Sequence, residues 1–183
     1  MLAHERGVHG RPFDEAVTSE WGRPTEGIFQ TAFVVEDLDV AIEQFSSRFQ
    51  VGPWRTFRDV GPEGALYRGE PARARLHVAF GFAGHMTYEL VQPVDDAPSV
   101  YRDLINDRGY GFHHFGYGTR DFDKAVAAMH AEGYQTVGSL AFPDLRLAIF
   151  DTRNVMPGMT ELIEVNDVGN APAEFTGQAG GRQ

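Results

Sequence analysis

Apolar and polar residues follow one pattern twice along this chain of 183 residues. A short run rich in β-branched and aromatic residues, 28–35, is followed by a segment whose apolar residues recur at helical spacing. The run 112–119 is followed by a second such segment. In both places an aspartate, Asp37 or Asp121, stands where a helix N-cap is expected. The repeat predicts two structurally equivalent modules.

The rest of each module has the pattern of β-strands. Apolar residues alternate with small or polar ones over 76–82, which is the two-residue period of a strand with one buried face. Strand-like runs also cover residues 86–92, 145–150 and 159–165. Each module is therefore predicted to contain a strand, a helix and about three further strands.

The modules are flanked by polar segments and joined by a short helix. Pro98 and Ser99 predict the start of this helix, and residues 107–109 predict its end. The terminal segments are rich in glycine and polar residues, with few large apolar groups to offset the entropy of ordering. The predicted organisation is an N-terminal arm (1–26), a first module (27–95), a linker helix (96–110), a second module (111–168) and a flexible C-terminal tail (169–183).

Composition excludes several classes of function. Hydrophobic residues make up 42% and charged residues 23%, as in folded globular proteins. The net charge of −10 disfavours nucleic acid as a partner, and the absence of cysteine excludes a thiolate metal site. No long apolar run or signal peptide is present, so we expect a cytoplasmic protein without a membrane partner.

Polar residues stand at matching places in the two modules. Gln30 lies seven residues before Asp37, and His114 lies seven residues before Asp121. Glutamates occur in the last strand-like run of each module, at Glu89 and Glu164. A glutamine or histidine at the head and a glutamate at the tail of each module make four potential metal ligands.

Three phrases resemble a known group of proteins: Val-Gly-Pro-Trp at 51–54, Tyr-Glu-Leu-Val-Gln-Pro at 88–93, and Gly-Phe-His-His-Phe-Gly-Tyr at 111–117. Together with the duplicated pattern over 27–166, they resemble the vicinal oxygen chelate superfamily, which includes glyoxalase I, bleomycin-resistance proteins and extradiol dioxygenases. The chain is most similar to the glyoxalase-like group that contains methylmalonyl-CoA epimerase. The resemblance implies an α+β fold of two tandem βαβββ modules whose curved mixed sheets form a cleft.

The resemblance also implies one divalent metal ion, with Gln30, Glu89, His114 and Glu164 as its ligands. His114 is preferred to its neighbour His113 because of its distance from Asp121. One imidazole, two carboxylates and one amide suit Zn, Ni, Co, Mn or Mg. A single histidine in this set disfavours an iron dioxygenase.

Such a centre implies an isomerase or epimerase that stabilises an enolate while a glutamate moves a proton next to a substrate carbonyl. Glu164 or Glu89 is the expected base, with Glu164 preferred. His77 and Tyr117 are the candidate substrate contacts.

Alternative functions use the same cleft. One is a metal-free protein that binds or sequesters an aromatic or antibiotic-like ligand. Another is a lyase, dehydratase or cyclase. Arginines between 55 and 75 offer either a solvated surface or a site for a phosphate or carboxylate on a small-molecule substrate. The resemblance further implies a homodimer, in which the N-terminal arm could act as a clasp.

Overall fold

The computed structural model describes residues 27–143 and 145–165. The predicted N-terminal arm and C-terminal tail lie outside them. The first module and the linker contain β1 (Gly27–Val34), α1 (Leu38–Phe49), β2 (Trp54–Val60), β3 (Ala65–Tyr67), β4 (Glu70–Pro71), β5 (Leu76–Ala83), β6 (Met86–Pro93) and α2 (Val100–Arg108). The second module contains β7 (Gly111–Thr119), α3 (Phe122–Ala131), β8 (Thr136–Phe142), β9 (Leu145–Phe150) and β10 (Met159–Glu164).

The three helices begin at polar side chains that satisfy free backbone N–H groups. The carboxylate of Asp37 accepts a hydrogen bond from the backbone of Val40 at 3.0 Å, and Asp121 does the same for α3. The hydroxyl of Ser99 accepts from the backbone of Arg102 at 3.0 Å at the start of α2. The predicted caps are confirmed.

The strands form one mixed sheet in the order β2-β5-β6-β1-β7-β10-β9-β8-β3-β4. The first strands of the two modules, β1 and β7, pair antiparallel at its centre. Each is flanked by the last strand of its own module in parallel pairing, β6 beside β1 and β10 beside β7. The two tandem βαβββ modules therefore build one curved sheet, and the predicted α+β fold is confirmed.

The hairpin of β3 and β4 was not predicted. It belongs to the first module in sequence, but it pairs with β8 of the second module through Ala65 and Leu140 and through Tyr67 and Gly138. The chain before and after the hairpin runs through β2 and β5, at the opposite edge of the sheet. Because one short chain segment connects both edges, the sheet curls and encloses a cleft.

Helices α1 and α3 cover the outer face of the sheet. Leu38 packs with Ala79 and Leu90 under α1, and Phe122 packs with Phe150 and Leu162 under α3. The inner face is left to line the cleft, with α2 packed at one end of it. None of the helices in the described residues is long and apolar enough to span a membrane.

Candidate metal centre

The sheet register brings four polar side chains to one place on the inner face. Ala32 is paired with both Glu89 and His114. Two residues earlier on β1, Gln30 is paired with Gly116, which is also paired with Glu161 on β10. Since paired residues share a face and alternate residues along a strand share it too, the side chains of Gln30, Glu89, His114 and Glu161 converge.

Their polar atoms meet around a single point. Nε2 of His114 lies 3.4 Å from Oε2 of Glu89 and 3.3 Å from Oε2 of Glu161. Nε2 of Gln30 donates hydrogen bonds to the same two oxygens, at 2.9 Å for Glu89 and 3.3 Å for Glu161. We call these four residues the acidic cluster.

A glycine makes room for the amide of this cluster. Gly116 and Ala32 occupy matching places in the two modules, each two residues after the head residue of its strand. A Cβ atom on Gly116 would lie only 2.8 Å from Cβ of Gln30, closer than side-chain atoms approach. Gly116 therefore lacks the methyl group that Ala32 carries at the matching place, and the side chain of Gln30 occupies that space.

Burial makes the charges of the acidic cluster interact strongly. Its two carboxylate residues, Glu89 and Glu161, are 7% and 4% exposed, and His114 is fully buried. Burial raises the pKa of Glu89, against the opposing hydrogen bond from His114. Burial lowers the pKa of His114, but the carboxylates of Glu161 and Glu89 outweigh it and raise that pKa to about 10.

The residues fit a divalent ion. Two buried carboxylates and one imidazolium leave excess negative charge in a place where an uncompensated charge is costly. Ligand atoms about 2.1 Å from a tetrahedral ion lie about 3.4 Å apart, close to the separations of His114 from the two glutamates. Gln30 directs its amide nitrogen at the carboxylates. A half-turn of the amide would instead present Oε1 as the fourth ligand atom for the ion.

His113 orients the histidine of the acidic cluster. Neighbouring residues of a regular strand point to opposite faces of the sheet. A bulge opposite Ala32 and Phe33 leaves His113 without a partner on β1, so His113 and His114 do not follow this alternation. Its Nδ1 lies 2.8 Å from Nδ1 of His114, and its Nε2 lies 3.1 Å from the carbonyl oxygen of Val100.

These two contacts assign the protons. A carbonyl only accepts, so Nε2 of His113 is the donor to Val100. Burial, and then the neighbouring His114, lower the pKa of His113 to about 3, which keeps its ring neutral. Nδ1 of His113 therefore accepts from Nδ1–H of His114, and Nε2 of His114 is directed at the two glutamates.

Glu164 does not reach the acidic cluster, which corrects its prediction as a ligand and as the preferred base. It pairs with Thr119 on β7 and points to the outer face, where Arg146 binds both carboxylate oxygens at 2.7 and 2.8 Å. These hydrogen bonds hold the pKa of Glu164 below its ordinary value. Glu161 lies three residues earlier, an odd spacing that reverses the face.

A repeated triplet in the sequence identifies Glu161. Glu-Leu-Val at 89–91 and Glu-Leu-Ile at 161–163 are equivalent stretches of the last strands. Each places its glutamate inward and its leucine, Leu90 or Leu162, under the outer helix of its own module. Alignment on this triplet, rather than on the end of the run, gives the glutamate that lies beside His114 and lines the cleft.

The two predicted substrate contacts lie on the side of the sheet away from the cleft. His77 is paired with Gln92, one residue out of phase with the pair of Val78 and Val91, and its Nδ1 accepts from the backbone N–H of Asp59 at 2.9 Å. Tyr117 is paired with Leu162, is 42% exposed and does not line the cleft. The structure therefore does not support contact of either residue with a substrate inside the cleft.

The acidic cluster borders a cleft of about 240 Å³. Gln30, Glu89 and Glu161 line it, and Tyr101 lines it from α2. The ring of Tyr101 stacks on that of His113 with 4.8 Å between centroids. Burial, and then Glu89 and Glu161, raise the pKa of Tyr101 well above its ordinary value, so its hydroxyl remains a donor.

Comparison with known proteins identifies relatives of the chain. A family model described as the glyoxalase/bleomycin resistance protein/dioxygenase superfamily matches residues 29–144. No curated protein matches the chain significantly.

Solved structures share the fold at low sequence identity. A hypothetical protein from Bacillus halodurans C-125 is 16% identical with a TM-score of 0.60, over 79% of this chain and 97% of its own. A methylmalonyl-CoA epimerase variant from Streptomyces coelicolor, in complex with 2-nitronate-propionyl-CoA, is 19% identical with a TM-score of 0.58, over 80% and 99%. The methylmalonyl-CoA epimerase from Mycobacterium tuberculosis is 18% identical with a TM-score of 0.57, over 82% and 91%.

Proposed function

The chain belongs to the glyoxalase/bleomycin resistance protein/dioxygenase superfamily, and we propose that it is a metal-dependent isomerase or epimerase that moves a proton next to a substrate carbonyl. The convergence of Gln30, Glu89, His114 and Glu161 beside an apolar cleft is the observation that carries this proposal. These four residues would hold one divalent ion of the Zn, Ni, Co, Mn or Mg type.

The bound ion would supply positive charge beside the oxygen on which an enolate develops. Tyr101 adds a protonated hydroxyl to the lining of the same cleft and can donate to a substrate oxygen. The apolar walls exclude water, which strengthens these interactions.

Glu161 replaces Glu164 as the proposed base. Both carboxylates of the acidic cluster line the cleft, where a base within about 3 Å of the reacting carbon can act. In the metal-free arrangement of the structure, Gln30 donates to Glu89 at 2.9 Å and to Glu161 at 3.3 Å, so Glu161 is the more weakly held of the two. We assign proton transfer to Glu161, which can serve as ligand in one state and base in another.

Elemental analysis of protein purified without chelator tests the metal. We expect a stoichiometric divalent metal that EDTA removes. Its removal should lower the melting temperature, because a ligand at a thousand times its Kd stabilises the folded state by about 4 kcal/mol. Protein that contains no metal, and whose melting temperature is unchanged by added Zn, Ni, Co, Mn or Mg, would contradict the proposal.

His113 should tune the metal site without binding the ion. Replacing His113 with phenylalanine removes the acceptor for His114 and is expected to weaken Co affinity about 10- to 100-fold, the usual effect of losing a partner of a metal-binding histidine. Asparagine keeps an acceptor near the place of Nδ1 and should restore most of the affinity. Titration with Co, followed by its absorption spectrum, measures the affinity of both variants and of the wild type. A His113→Phe variant that binds Co as tightly as the wild type would exclude the positioning role.

A metal-free binding protein is the second candidate, and the predominantly apolar lining of the cleft favours it. In that case, the protein would carry no metal but would still bind an aromatic ligand. The same elemental analysis, combined with a ligand titration, separates the two functions.

A further inference from the structure

The walls of the cleft are apolar along nearly their whole length. Leu76, Val78 and Phe80 on β5 face Leu140, Leu147 and Ile149 on β8 and β9. The carboxylates and amide of the acidic cluster lie together on β6, β10 and β1, the central strands between these walls. A ligand that fills this space must therefore be apolar over most of its surface, with its polar atoms grouped at one place.

The lining of the cleft carries no cationic side chain. No lysine, arginine or histidine is among its lining residues in the part of the chain that the structure describes. Its ionisable carboxylates are Glu63, Glu89 and Glu161. An anionic ligand would have to give up its hydration without a cationic side chain in return, next to groups of its own sign.

The arginines predicted to offer a site for a phosphate or carboxylate do not line the cleft. Arg58 forms an ion pair with Asp39, Arg68 with Asp103 at 3.0 Å, and Arg75 with Asp59 at 2.6 Å. These three arginines are thus paired with protein carboxylates at the surface. They add no positive charge to the lining of the cleft, and Glu89 and Glu161 would balance the charge of a bound divalent ion.

The volume of the cleft indicates the bulk of the part of a ligand that it can hold. A cavity of about 150 Å³ lined by aliphatic and aromatic side chains holds benzene. Drug-sized ligands occupy pockets of about 300 to 1,000 Å³. At about 240 Å³, the cleft lies between these two cases and suits a molecule with the bulk of two fused rings.

We infer that the substrate is an uncharged, largely apolar carbonyl compound of about this size, with its carbonyl at the acidic cluster. The inference rests on the proposed function for the place of the reacting carbonyl and goes beyond it in naming the substrate class. Some of the structures that share the fold were solved with 2-nitronate-propionyl-CoA or with methylmalonyl-CoA, which are charged molecules. The interior described above is suited to a different ligand.

Two probes of matched size test the inference. 2-Acetylnaphthalene carries a neutral ketone, and 2-naphthoate carries a carboxylate on the same ring system. Both are titrated into metal-loaded protein and, to separate attraction of the carboxylate by the ion, into EDTA-treated protein, and binding is followed by calorimetry. We expect the ketone to bind at least about tenfold more tightly, because the carboxylate would be buried without a partner. Equal affinities, or tighter binding of 2-naphthoate, would overturn the inference.

A new positive charge should shift this preference only if the probes occupy the cleft. Leu66 lines the cleft and is 41% exposed, so it can accept a lysine at the mouth. Leu66→Lys is expected to reduce the preference for the ketone up to about fivefold, the effect of a partly exposed charge pair. Val40, 56% exposed on α1 and outside the cleft, provides the matched control Val40→Lys. An equal change in both variants would show that the probes bind elsewhere and would overturn the inference.

The outcomes separate this inference from the proposed function. A metal-containing protein that does not prefer the ketone would support the metal centre and contradict the proposed substrate class. A metal-free protein that prefers the ketone would contradict the proposed enzymatic function, and the neutral, apolar ligand would then be that of a binding protein.

Discussion

Replacing His114 with alanine is expected to abolish stoichiometric metal binding and, with it, all metal-dependent turnover. His114 supplies the nitrogen donor of the acidic cluster, and its Nε2 lies within 3.4 Å of both carboxylates. Loss of a partner that merely orients a ligand weakens a metal site about 10- to 100-fold. Loss of the ligand itself should exceed that range.

A matched control is His77→Ala. His77 is also a strand histidine, but it lies on the side of the sheet away from the cleft and contacts the backbone of Asp59. Metal content by elemental analysis and affinity by Co titration should be unchanged in this variant. A His114→Ala protein that retained the metal at full occupancy would exclude His114 as a ligand.

Loss of folding must be distinguished from loss of the ion. His114→Ala removes the cation between two buried carboxylates, so it should destabilise the metal-free protein as well. The comparison is therefore made on EDTA-treated wild type and variant by urea unfolding, followed by metal addition to both. Added metal should restore stability to the wild type alone.

The sequence predicted the local parts of the fold because their signals are local. An N-cap and the helix that follows it lie within a few residues of each other, as at Asp37, Ser99 and Asp121. The β3–β4 hairpin has no such signal. It consists of short strands among glycine and proline, and its partner β8 lies some 70 residues later in the chain, where only the closed sheet brings them together.

In the candidate site, too, the residues with a local signal were predictable and those that depend on strand register were not. The head residues Gln30 and His114 stand at fixed distances from the two caps, and the structure brings them together with Glu89. Glu161 was missed because the choice between two glutamates of one strand depends on the face, and one step in register reverses the face. The bulge that turns His113 toward His114 depends on pairing between the modules and has no local signature.

Glu161→Gln and Glu164→Gln form the sharpest pair of variants for the proposed chemistry. Both changes replace a carboxylate by an amide of equal size on β10, but Glu161 lies in the acidic cluster and Glu164 is paired with Arg146 on the outer face. We expect Glu161→Gln to lower the rate of proton exchange about 10²- to 10⁴-fold, the usual contribution of a general base. Glu164→Gln should exchange at the wild-type rate.

The measurement is deuterium incorporation from solvent into the methyl group of 2-acetylnaphthalene, followed by NMR with metal-loaded protein. Metal content is determined on the same samples, because the amide oxygen that Glu161→Gln introduces could still bind an ion, as proposed for Gln30. Exchange lost with the metal retained would assign proton transfer to Glu161. Exchange lost together with the metal would make Glu161 a ligand and leave the base to Glu89.

The reverse result would have a specific meaning. If Glu164→Gln lost exchange while Glu161→Gln kept it, the reaction would occur on the outer face, where Arg146 holds Glu164 ionised. An ionised carboxylate held by two hydrogen bonds from a guanidinium is a poor proton acceptor, since each bond stabilises the charge that protonation would remove. Glu161 is held less closely, at 3.3 Å from both Gln30 and His114, and it lines the cleft that a substrate can enter, so we expect the effect at Glu161.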